Sequence, residues 1–434
     1  MGEWLPISEL FDFEKGSLQS SKCVPGSYNF ITAAEEWKTH ETFTHDCEAL
    51  VFAMAASGSL GRTHYVKGKF IASDLCFILQ PKKDKKLDLK FYYRVFNFLR
   101  EDIVKKTATG TSKLAINQTN FGKYMLPYFD IEHQLKFSEK LDSISFIKND
   151  LINRFDDQSK YLSQLRQSIL QEAIEGKLTA DWRKQNPVRK GDPNTDAAAL
   201  LEKIKLEKEK MIAEGKIKKE KPLEPIKPEE IPFELPEGWI WCRFGNYAYF
   251  ERGKFSIRPR NDKSCYGGKY PFIQIGSLSN NGDVVRNFKQ TLNEKGFAAS
   301  KQFEKGTIAI AIVGGTIGNL GVLGLDMCFP DSMVGIRPTL ITNQDYILLL
   351  LRSKQSEIRK SAYQMAGQPN IKLPTLTELI IPLPPLSEQK AIVNRVNNLL
   401  NTVDELKQQV SDRKEQAEEL MRAILREAFE GRVI

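Results

Sequence analysis

The sequence repeats itself at a near-constant separation of about 255 residues. The stretch "LRQSILQEAIEGKL" at 165–178 returns as "LMRAILREAFEGRV" at 420–433, with leucine, isoleucine, glutamate, alanine and glycine in matching places. Further upstream, "SGSLGR" at 57–62 resembles "GGTIGN" at 314–319. Because many weak matches share nearly one spacing, the chain is predicted to be a tandem of two homologous units, each a globular part followed by a long helix.

The globular parts have the pattern of a mixed α/β (α+β) fold. Short β-branched runs such as "GTIAIAIVGG" at 306–315 end at glycines, which is typical of strands followed by turns. The apolar spacing at 88–107 and at 345–365 predicts one helix in each unit. Trp4 and Trp239 are predicted to open the corresponding first strands.

Each unit is predicted to end in a helix of about 44 residues, at 133–176 and 388–431, which is about 65 Å long. Apolar residues recur there at alternating three- and four-residue spacing, so antiparallel pairing of the helices as a coiled coil would bury both stripes. Ser387 is predicted to cap the second helix, and Gly176 and Gly431 to follow the helix ends. The predicted stripe consists of Leu141, Ile144, Leu151, Phe155, Leu162, Leu165, Ile169, Val396, Leu399, Val403, Leu406, Val410, Leu420 and Ile424.

These patterns predict two homologous domains separated by a long antiparallel two-helix coiled coil, with pseudo-two-fold symmetry. The predicted segments are a first recognition domain at 1–130, its long helix at 131–180, a charged linker at 181–235, a second recognition domain at 236–385 and its long helix at 386–434. The stretch at 201–221 mixes lysine with glutamate, which favours a solvated helix over a DNA-binding arm.

Several motifs give the chain a resemblance to a known family. They are the "GGTIG" turn, "QPNIKLPTL" at 368–376, "IPLPPLSEQKAIV" at 381–393 and the helix end "ILREAFEGRV". With them, the chain resembles the specificity (S) subunit of type I restriction–modification systems over essentially its whole length. The second half fits more closely, since the first has "SGSLG" for the turn and "LPYFDIEHQLKF" for the Pro-Pro-Leu junction.

The resemblance implies a DNA-reading subunit without catalysis of its own. Each target-recognition domain would read one half of an asymmetric bipartite site in double-stranded DNA, and the paired helices would set the gap between the halves. The implied partners are two methyltransferase (M) subunits and ATP-driven restriction (R) subunits. S-adenosylmethionine and ATP would therefore bind to the partner subunits, and no cofactor is expected in this chain.

The strongest concentration of basic residues lies at 250–270, where six lysines and arginines accompany two acidic residues. Arginine can bind guanine bidentately and lysine pairs with phosphates, so this segment is predicted to contact DNA; a merely solvated loop is the alternative. The polar stretches at 107–120 and 366–376 suit phosphate or base contacts, or a purely structural turn. The candidate DNA-binding residues are Arg62, Lys67, Lys69, Lys113, Arg252, Lys254, Arg258, Arg260, Lys263, Lys269 and Lys372.

The remaining features argue against other classes of protein. The net charge of +8 permits a polyanionic partner. The six cysteines form no C-x-x-C pair, and no apolar run reaches 18 residues, so a cytoplasmic protein with reduced thiols and no membrane contact is expected. The glycine run at 312–324 lacks phosphate-binding motifs and favours a hairpin turn. Two other functions remain open: an adaptor whose coiled coil recruits partners, and a nucleotide-using enzyme built on the glycine run.

Overall fold

The computed structural model describes residues 3–56, 58–110, 114–339, 341–363 and 369–429. It divides the chain into two compact units. Unit 1 comprises residues 1–158 and 409–434, and unit 2 comprises residues 159–408. The mixed α/β class predicted from the sequence is confirmed. Among the described residues, no helix is both long and apolar enough to cross a membrane.

Unit 1 is organised around a six-stranded sheet of order β2-β7-β5-β6-β3-β4, and β1-β10 and β8-β9 form two-stranded sheets. Its elements are β1 Glu3–Pro6, α1 Ile7–Leu10, β2 Phe11–Lys15, β3 Tyr28–Ile31, β4 Lys38–His40, β5 His45–Ala53, β6 Thr63–Ala72, β7 Cys76–Pro81, α2 Leu89–Phe98, α3 Arg100–Thr107, β8 Ala108–Thr109, β9 Ala115–Ile116, α4 Gln118–Gly122, β10 Met125–Tyr128 and α5 Ile131–Ile174, which continues into unit 2.

An aromatic core holds the helices of unit 1 on its sheet. Phe52 of β5 stacks near Phe96 and Phe121, and all three side chains are fully buried. Asp88 caps α2 by accepting hydrogen bonds from the backbone N–H groups of the next turn. The single helix predicted at 88–107 is instead two helices, because the backbone leaves the helical region at Leu99 (φ −84°, ψ 5°).

Unit 2 contains a five-stranded sheet of order β12-β20-β17-β18-β14, a four-stranded sheet β15-β13-β19-β16 and the pair β11-β21. Its elements are α6 Ala180–Gln185, α7 Ala197–Ala213, β11 Ile240–Arg243, α8 Phe244–Tyr247, β12 Tyr249–Arg252, β13 Tyr266–Phe272, β14 Val284–Val285, β15 Gln290–Leu292, α9 Glu294–Ala298, β16 Gln302–Phe303, β17 Ile308–Ala311, β18 Leu320–Leu323, β19 Met327–Cys328, β20 Met333–Arg337, α10 Gln344–Tyr363, α11 Leu373–Thr377, β21 Ile380–Leu383 and α12 Leu386–Phe429, which continues into unit 1.

The internal repeat is visible in strand order and register. The order β2-β7-β5-β6-β3 in unit 1 corresponds to β12-β20-β17-β18-β14 in unit 2, and the last pair is parallel in both. Trp4 lies opposite Pro127, and Trp241 lies opposite Pro382. The counterpart of Trp4 is therefore Trp241. The predicted match with Trp239 is wrong, because the strand pairing fixes a register two residues further along the chain.

Helices α5 and α12 pair antiparallel in unit 2. Just after the C-terminal end of α5, Thr179 donates a hydrogen bond to Glu388 at the N-terminal end of α12 (2.7 Å). Arg166, earlier in α5, pairs with Asp404, later in α12, as antiparallel pairing requires. In unit 1, Asp156 pairs with Lys414 (2.7 Å). Each helix has 44 residues. Helix α12 begins at Leu386, immediately after two prolines, so Ser387 lies inside the helix and is not its cap.

The predicted apolar stripe differs in how deeply its members are buried. Four of the leucines are exposed, among them Leu165 (46%) and Leu420 (63%). In a straight α-helix, the direction of an apolar stripe with a 3.5-residue repeat rotates by about 20° per heptad around the helix axis. Some positions of the stripe therefore face the side of the helix pair and not the partner helix. The buried members are Leu141, Ile169, Val396 and Val403; the half-buried ones are Ile144, Phe155, Leu162, Leu399, Val410 and Ile424; the exposed ones are Leu151, Leu165, Leu406 and Leu420.

The helix end of α5 and the linker that follows it are ordered parts of unit 2. Gly176 adopts the left-handed conformation (φ +73°) predicted for the residue after the helix, whereas Gly431 lies outside the described residues. The linker contains α7, whose residues Ala197, Leu200 and Ile204 are fully buried. Burying Leu200 and Ile204 contributes about 1.5–3 kcal/mol each. The predicted helix exists, but one of its faces is core and not solvated.

Candidate DNA interface

Three predicted arginines of unit 2 converge on one residue, Asp331. Arg252, at the end of β12, donates through Nε to the Asp331 carbonyl (2.7 Å). Arg258 and Arg260 both pair with the Asp331 side chain, the former at 3.4 Å. Two guanidinium groups on the Asp331 carboxylate and a third on its backbone carbonyl leave a net positive cluster, and Arg258 and Arg260 remain about half exposed. Such a cluster suits phosphate or guanine as a ligand.

The loop that carries these arginines is anchored by apolar side chains. Phe255 and Cys265 are buried against Phe272 of β13, while the basic side chains between them point outward. The backbone N–H of Gly253 donates to Met333 (2.9 Å), which fixes the start of the loop on β20. The sequence segment at 250–270 is therefore an anchored loop with a basic outer surface.

Strand pairing places the glycine turn and the segment that carries Lys372 at the same end of the sheet as the arginine cluster. We call this end the turn end. The N–H of Ile312 donates to Ser332 (3.0 Å), and the Ile312 carbonyl accepts from Ile371 (2.9 Å). Neighbouring strands lie about 4.8 Å apart, so Asp331 and Lys372 are separated by roughly two strand spacings. The glycine run forms a short 3₁₀ turn, Gly314–Thr316, between the antiparallel strands β17 and β18. It is thus a turn between strands, as predicted.

Unit 1 has an equivalent turn end. Gly61 and Gly318 both have φ +79°, a conformation that glycine adopts without strain. Behind each turn an arginine from a helix donates to a turn carbonyl: Arg100 to Leu60 (2.8 Å) in unit 1 and Arg359 to Ile317 (3.0 Å) in unit 2. The predicted match between "SGSLGR" and "GGTIGN" is therefore also a match in geometry, although Ser57 lies outside the described residues.

The basic residues predicted for unit 1 do not gather at its turn end. Arg62 is there, but it pairs with Glu35 (3.6 Å). Lys67 and Lys69 lie further along β6, with Lys69 roughly 23 Å from Arg62 at about 3.3 Å per residue. The strand opposite supplies acidic partners for both lysines: Glu48 faces Lys67 and Asp46 faces Lys69. Pairing across the sheet thus offsets the positive charge that the sequence of β6 shows. Lys113, the other candidate in this unit, lies outside the described residues.

The other candidates in unit 2 are exposed lysines. Lys269 on β13 pairs with Glu294 (3.2 Å), and this hydrogen bond raises the pKa of Lys269. Lys254, Lys263 and Lys372 are exposed, and no ion pair involves them within the described parts of the chain. Exposed lysines of this kind are suited to phosphate contacts.

Buried ionisable groups in both units are held in their neutral forms. Burial raises the pKa of Cys76 and of Cys242 to about 12, so neither thiol ionises at neutral pH. Burial together with a hydrogen bond to Glu48 raises the pKa of Tyr65 to about 12. These groups support the fold and do not supply a nucleophile.

Asp331 is the residue of the arginine cluster that the sequence did not reveal. It lies 71 residues after Arg260 in a Pro-Asp turn before β20, and nothing local marks that distance as a contact. Its counterpart in unit 1 is Asp74, before β7. Asp74 and Asp331 match when the two repeats are aligned, and this match is the sequence signal that could have drawn attention to Asp331.

Comparison with known proteins decides the family. The family profile described as the type I restriction modification DNA specificity domain matches residues 3–158 and 252–415, more than half of the chain. The chain belongs to this family. Each of the two matches falls on one copy of the internal repeat, as predicted.

Relatives within this family cover the chain to different extents. The specificity subunit of the type I restriction enzyme EcoAI from Escherichia coli is 32% identical over 265 residues, which is 57% of this chain and 41% of that protein. The EcoDI specificity subunit, also from Escherichia coli, is 25% identical over 430 residues, 98% of this chain and 87% of that protein. The chain is thus aligned with less than half the length of the first relative and with most of the second.

Solved structures share the fold. A chain from a structure of type I restriction–modification complex assembly and conformational transition gives a TM-score of 0.69 at 16% identity, covering 100% of this chain and 98% of that one. The HsdS subunit from Thermoanaerobacter tengcongensis gives a TM-score of 0.55 at 17% identity, covering 100% and 97%. At these identities, the similarity extends to the fold and not to individual contacts.

Proposed function

We propose that this chain is the DNA-specificity subunit of a type I restriction–modification system and reads an asymmetric bipartite site in double-stranded DNA. Unit 1 reads one half-site and unit 2 the other. The observation that carries the proposal is the family match to both copies of the repeat. The two copies differ at their turn ends, in the arginine cluster above all, so the two half-sites differ in sequence.

The turn end of each unit is the proposed DNA-facing surface. In unit 2 it combines the Asp331 cluster, the glycine turn and Lys372 on neighbouring strands. Arginine supplies bidentate contacts to guanine or phosphate, and lysine supplies charge for phosphate. In unit 1 the same surface carries Arg62, while Lys67 and Lys69 lie away from it and contribute mainly to non-specific attraction.

The chain itself supplies recognition and no catalysis in this proposal. Two M subunits that use S-adenosylmethionine, together with ATP-driven R subunits, are the proposed partners, and the complex acts in the cytoplasm. The length of the α5–α12 pair sets the number of base pairs between the half-sites. Deleting one heptad from both helices removes about 10 Å, which is roughly three base pairs of gap at about 3.4 Å each.

Genome-wide mapping of N6-methyladenine tests the proposal. The chain is expressed with its M subunit in a host that lacks adenine methylation, and the genome is sequenced for the modified base. Methylation is expected at one split motif, and Arg258→Ala/Arg260→Ala is expected to relax one half of that motif while the other half persists. An active, assembled complex that methylates no split motif would overturn the proposal and favour the adaptor function.

A further inference from the structure

In unit 2 the strand pair β11–β21 is covered by a segment of the chain itself. We call residues 220–235 the covering segment. Phe233 stacks edge-on against Trp241 of β11, with ring centroids 4.8 Å apart. Arg243 holds the segment by a two-pronged ion pair with Glu230 (2.9 and 3.0 Å) and by a hydrogen bond to the Glu224 carbonyl (3.1 Å). The cover leaves Trp241 only partly exposed.

No described residue of unit 1 covers the corresponding surface there. Trp4 occupies the position of Trp241 on an equivalent strand pair, yet it is 51% exposed, and Met125 beside it is 43% exposed. The two side chains line a groove of about 640 Å³ together with Lys106, Lys123 and Asp102. This volume lies within the roughly 300–1,000 Å³ range of ligand clefts. We call it the Trp4 groove.

The groove has the charge that an acidic ligand needs. Lys106 pairs with Asp102 (2.8 Å), and no carboxylate among the described residues forms an ion pair with Lys123 at the rim. In unit 2 two cations bind carboxylates of the covering segment, Arg243 at Glu230 and Lys208 at Glu220, and the counterpart of Arg243 in unit 1 is Pro6. The site for an acidic group is therefore present in both units but is supplied by different residues.

The chemistry of the occupant follows from the segment that covers unit 2. Residues 222–237, "PLEPIKPEEIPFELPE", contain five glutamates, one lysine and five prolines. Proline holds such a segment extended before it binds, which lowers the entropic cost of docking. Glutamate supplies the charge and phenylalanine the ring that stacks on tryptophan.

We propose that the Trp4 groove is a docking site for an extended, acidic, proline-containing segment of a partner protein, with an aromatic side chain against Trp4. A partner supplies the segment, because the stretch of this chain that has the composition is already engaged on Trp241. Ser8 stands where unit 2 has Gly245, and in unit 2 Leu223 approaches that glycine closely. The residue that docks beside Ser8 is therefore smaller than leucine. The inference concerns a protein contact and does not rest on the proposed DNA function.

A peptide titration with a residue-specific signal tests this proposal. The chain has five tryptophans, so labelling with 5-fluorotryptophan gives five ¹⁹F resonances, assigned by single Trp→Phe variants. The probe is a synthetic peptide of residues 220–237 in which Leu223 is replaced by alanine. A saturable shift of the Trp4 resonance is expected, while the Trp241 resonance, already covered by Phe233, stays in place. A peptide that also carries Phe233→Ala is expected to bind up to about tenfold more weakly.

Charge variants at the rim of the groove test the same site without changing Trp4. Lys106→Glu/Lys123→Glu changes two exposed side chains and is expected to weaken binding at least tenfold, whereas the control Lys22→Glu, at an exposed lysine of unit 1 outside the groove, leaves it unchanged. Three results would overturn the proposal: a Trp4 resonance that does not move at millimolar peptide, an equal shift with a peptide whose glutamates are all glutamine, or a Trp4 shift produced by duplex DNA and not by the peptide.

Discussion

The two units hold an aspartate at the same place and use it differently. Asp331 precedes β20 and is surrounded by Arg252, Arg258 and Arg260, whereas Asp74 precedes β7 and has no arginine near it among the described contacts of unit 1. The backbone around the two residues is the same. The difference therefore comes from the loop after the first strand of the sheet, which is rich in arginine in unit 2 only.

A second difference concerns what covers each unit. Gln134 and Gln389 occupy equivalent positions, since each donates to a carbonyl five residues earlier (2.6 and 2.9 Å). The residue before each glutamine differs: His133 is exposed in unit 1, and Glu388 is buried in unit 2 under Thr179, Arg183 and Trp239. The glutamine position is constant in the repeat, and the residue before it is a buried glutamate where Thr179, Arg183 and Trp239 pack over it and an exposed histidine in unit 1.

The largest expected effect is on stability. Glu388→Ala removes the buried acceptor of the Trp239 indole (2.7 Å) and of Thr179, and it leaves Arg183 without its carboxylate. Such a loss costs about 3 kcal/mol of the free energy of unfolding. His133→Ala, the matched change in unit 1, is expected to cost less than about 0.5 kcal/mol. Urea denaturation followed by circular dichroism measures both. Equal losses in the two variants would show that the buried contacts of Glu388 do not contribute to stability as argued.

The next effect is on DNA binding. Arg258→Ala/Arg260→Ala in the assembled complex is expected to weaken binding to the cognate site by about 2 kcal/mol, or roughly thirtyfold. Lys67→Gln/Lys69→Gln in unit 1 is expected to have a much smaller effect, because both lysines face carboxylates across the sheet. Equilibrium binding measured across a salt series separates the roles: loss of a phosphate contact lowers the salt slope by about 0.9, and loss of base contacts spares non-specific DNA. A larger effect from the lysine pair would reverse the assignment of the DNA-facing surface.

A smaller loss is expected when the cover itself is loosened. Phe233→Ala removes the stacking partner of Trp241 and is expected to cost about 1 kcal/mol. Acrylamide quenching of tryptophan fluorescence should rise, with Trp241 becoming as accessible as Trp4. Phe43→Ala, which alters an exposed phenylalanine in unit 1, is a control for a general loss of packing. Unchanged quenching with Phe233→Ala would mean that the ion pairs of the covering segment with Arg243 and Lys208 hold it in place without the ring contact.

The sequence revealed the architecture because the repeat is a property of spacing. The strands around the glycine turn, the two long helices and the match of the turns could be predicted, since local periodicity and the 255-residue separation carry them. The Trp4–Trp241 register could not, because two tryptophans stand two residues apart and only strand pairing chooses between them.

The candidate site was predictable in composition but not in arrangement. A run of lysines and arginines shows where positive charge is, yet it does not show which carboxylates the fold brings opposite. Asp46 and Glu48 precede β6 by about twenty residues and offset its lysines, while Asp331 gathers arginines from a loop about 70 residues away. The charge balance at a surface depends on the tertiary structure. In this respect the two units differ more than the positions of their lysines and arginines in the sequence indicate.

The smallest expected effect is a pH dependence confined to unit 1. All four histidines lie between residues 40 and 133, and His64 accepts a hydrogen bond from the Trp37 indole (3.1 Å). Burial lowers the pKa of His64, with Arg62 acting in the same direction and Glu35 against it. The unfolded chain therefore takes up a proton at a pH where the folded chain does not. Stability is full above the unfolded pKa of about 6.5 and is lost as the pH falls from there toward the lower folded pKa.

Urea denaturation between pH 7.5 and about 5 measures this dependence, and one proton limits its slope to about 1.4 kcal/mol per pH unit. His64→Asn keeps an acceptor for Trp37 but cannot titrate, so it should flatten the slope of unit 1. If the His64 variant kept the full slope, the acid sensitivity of unit 1 would not come from the buried imidazole, and the difference in pH dependence between the units would have to be explained without it.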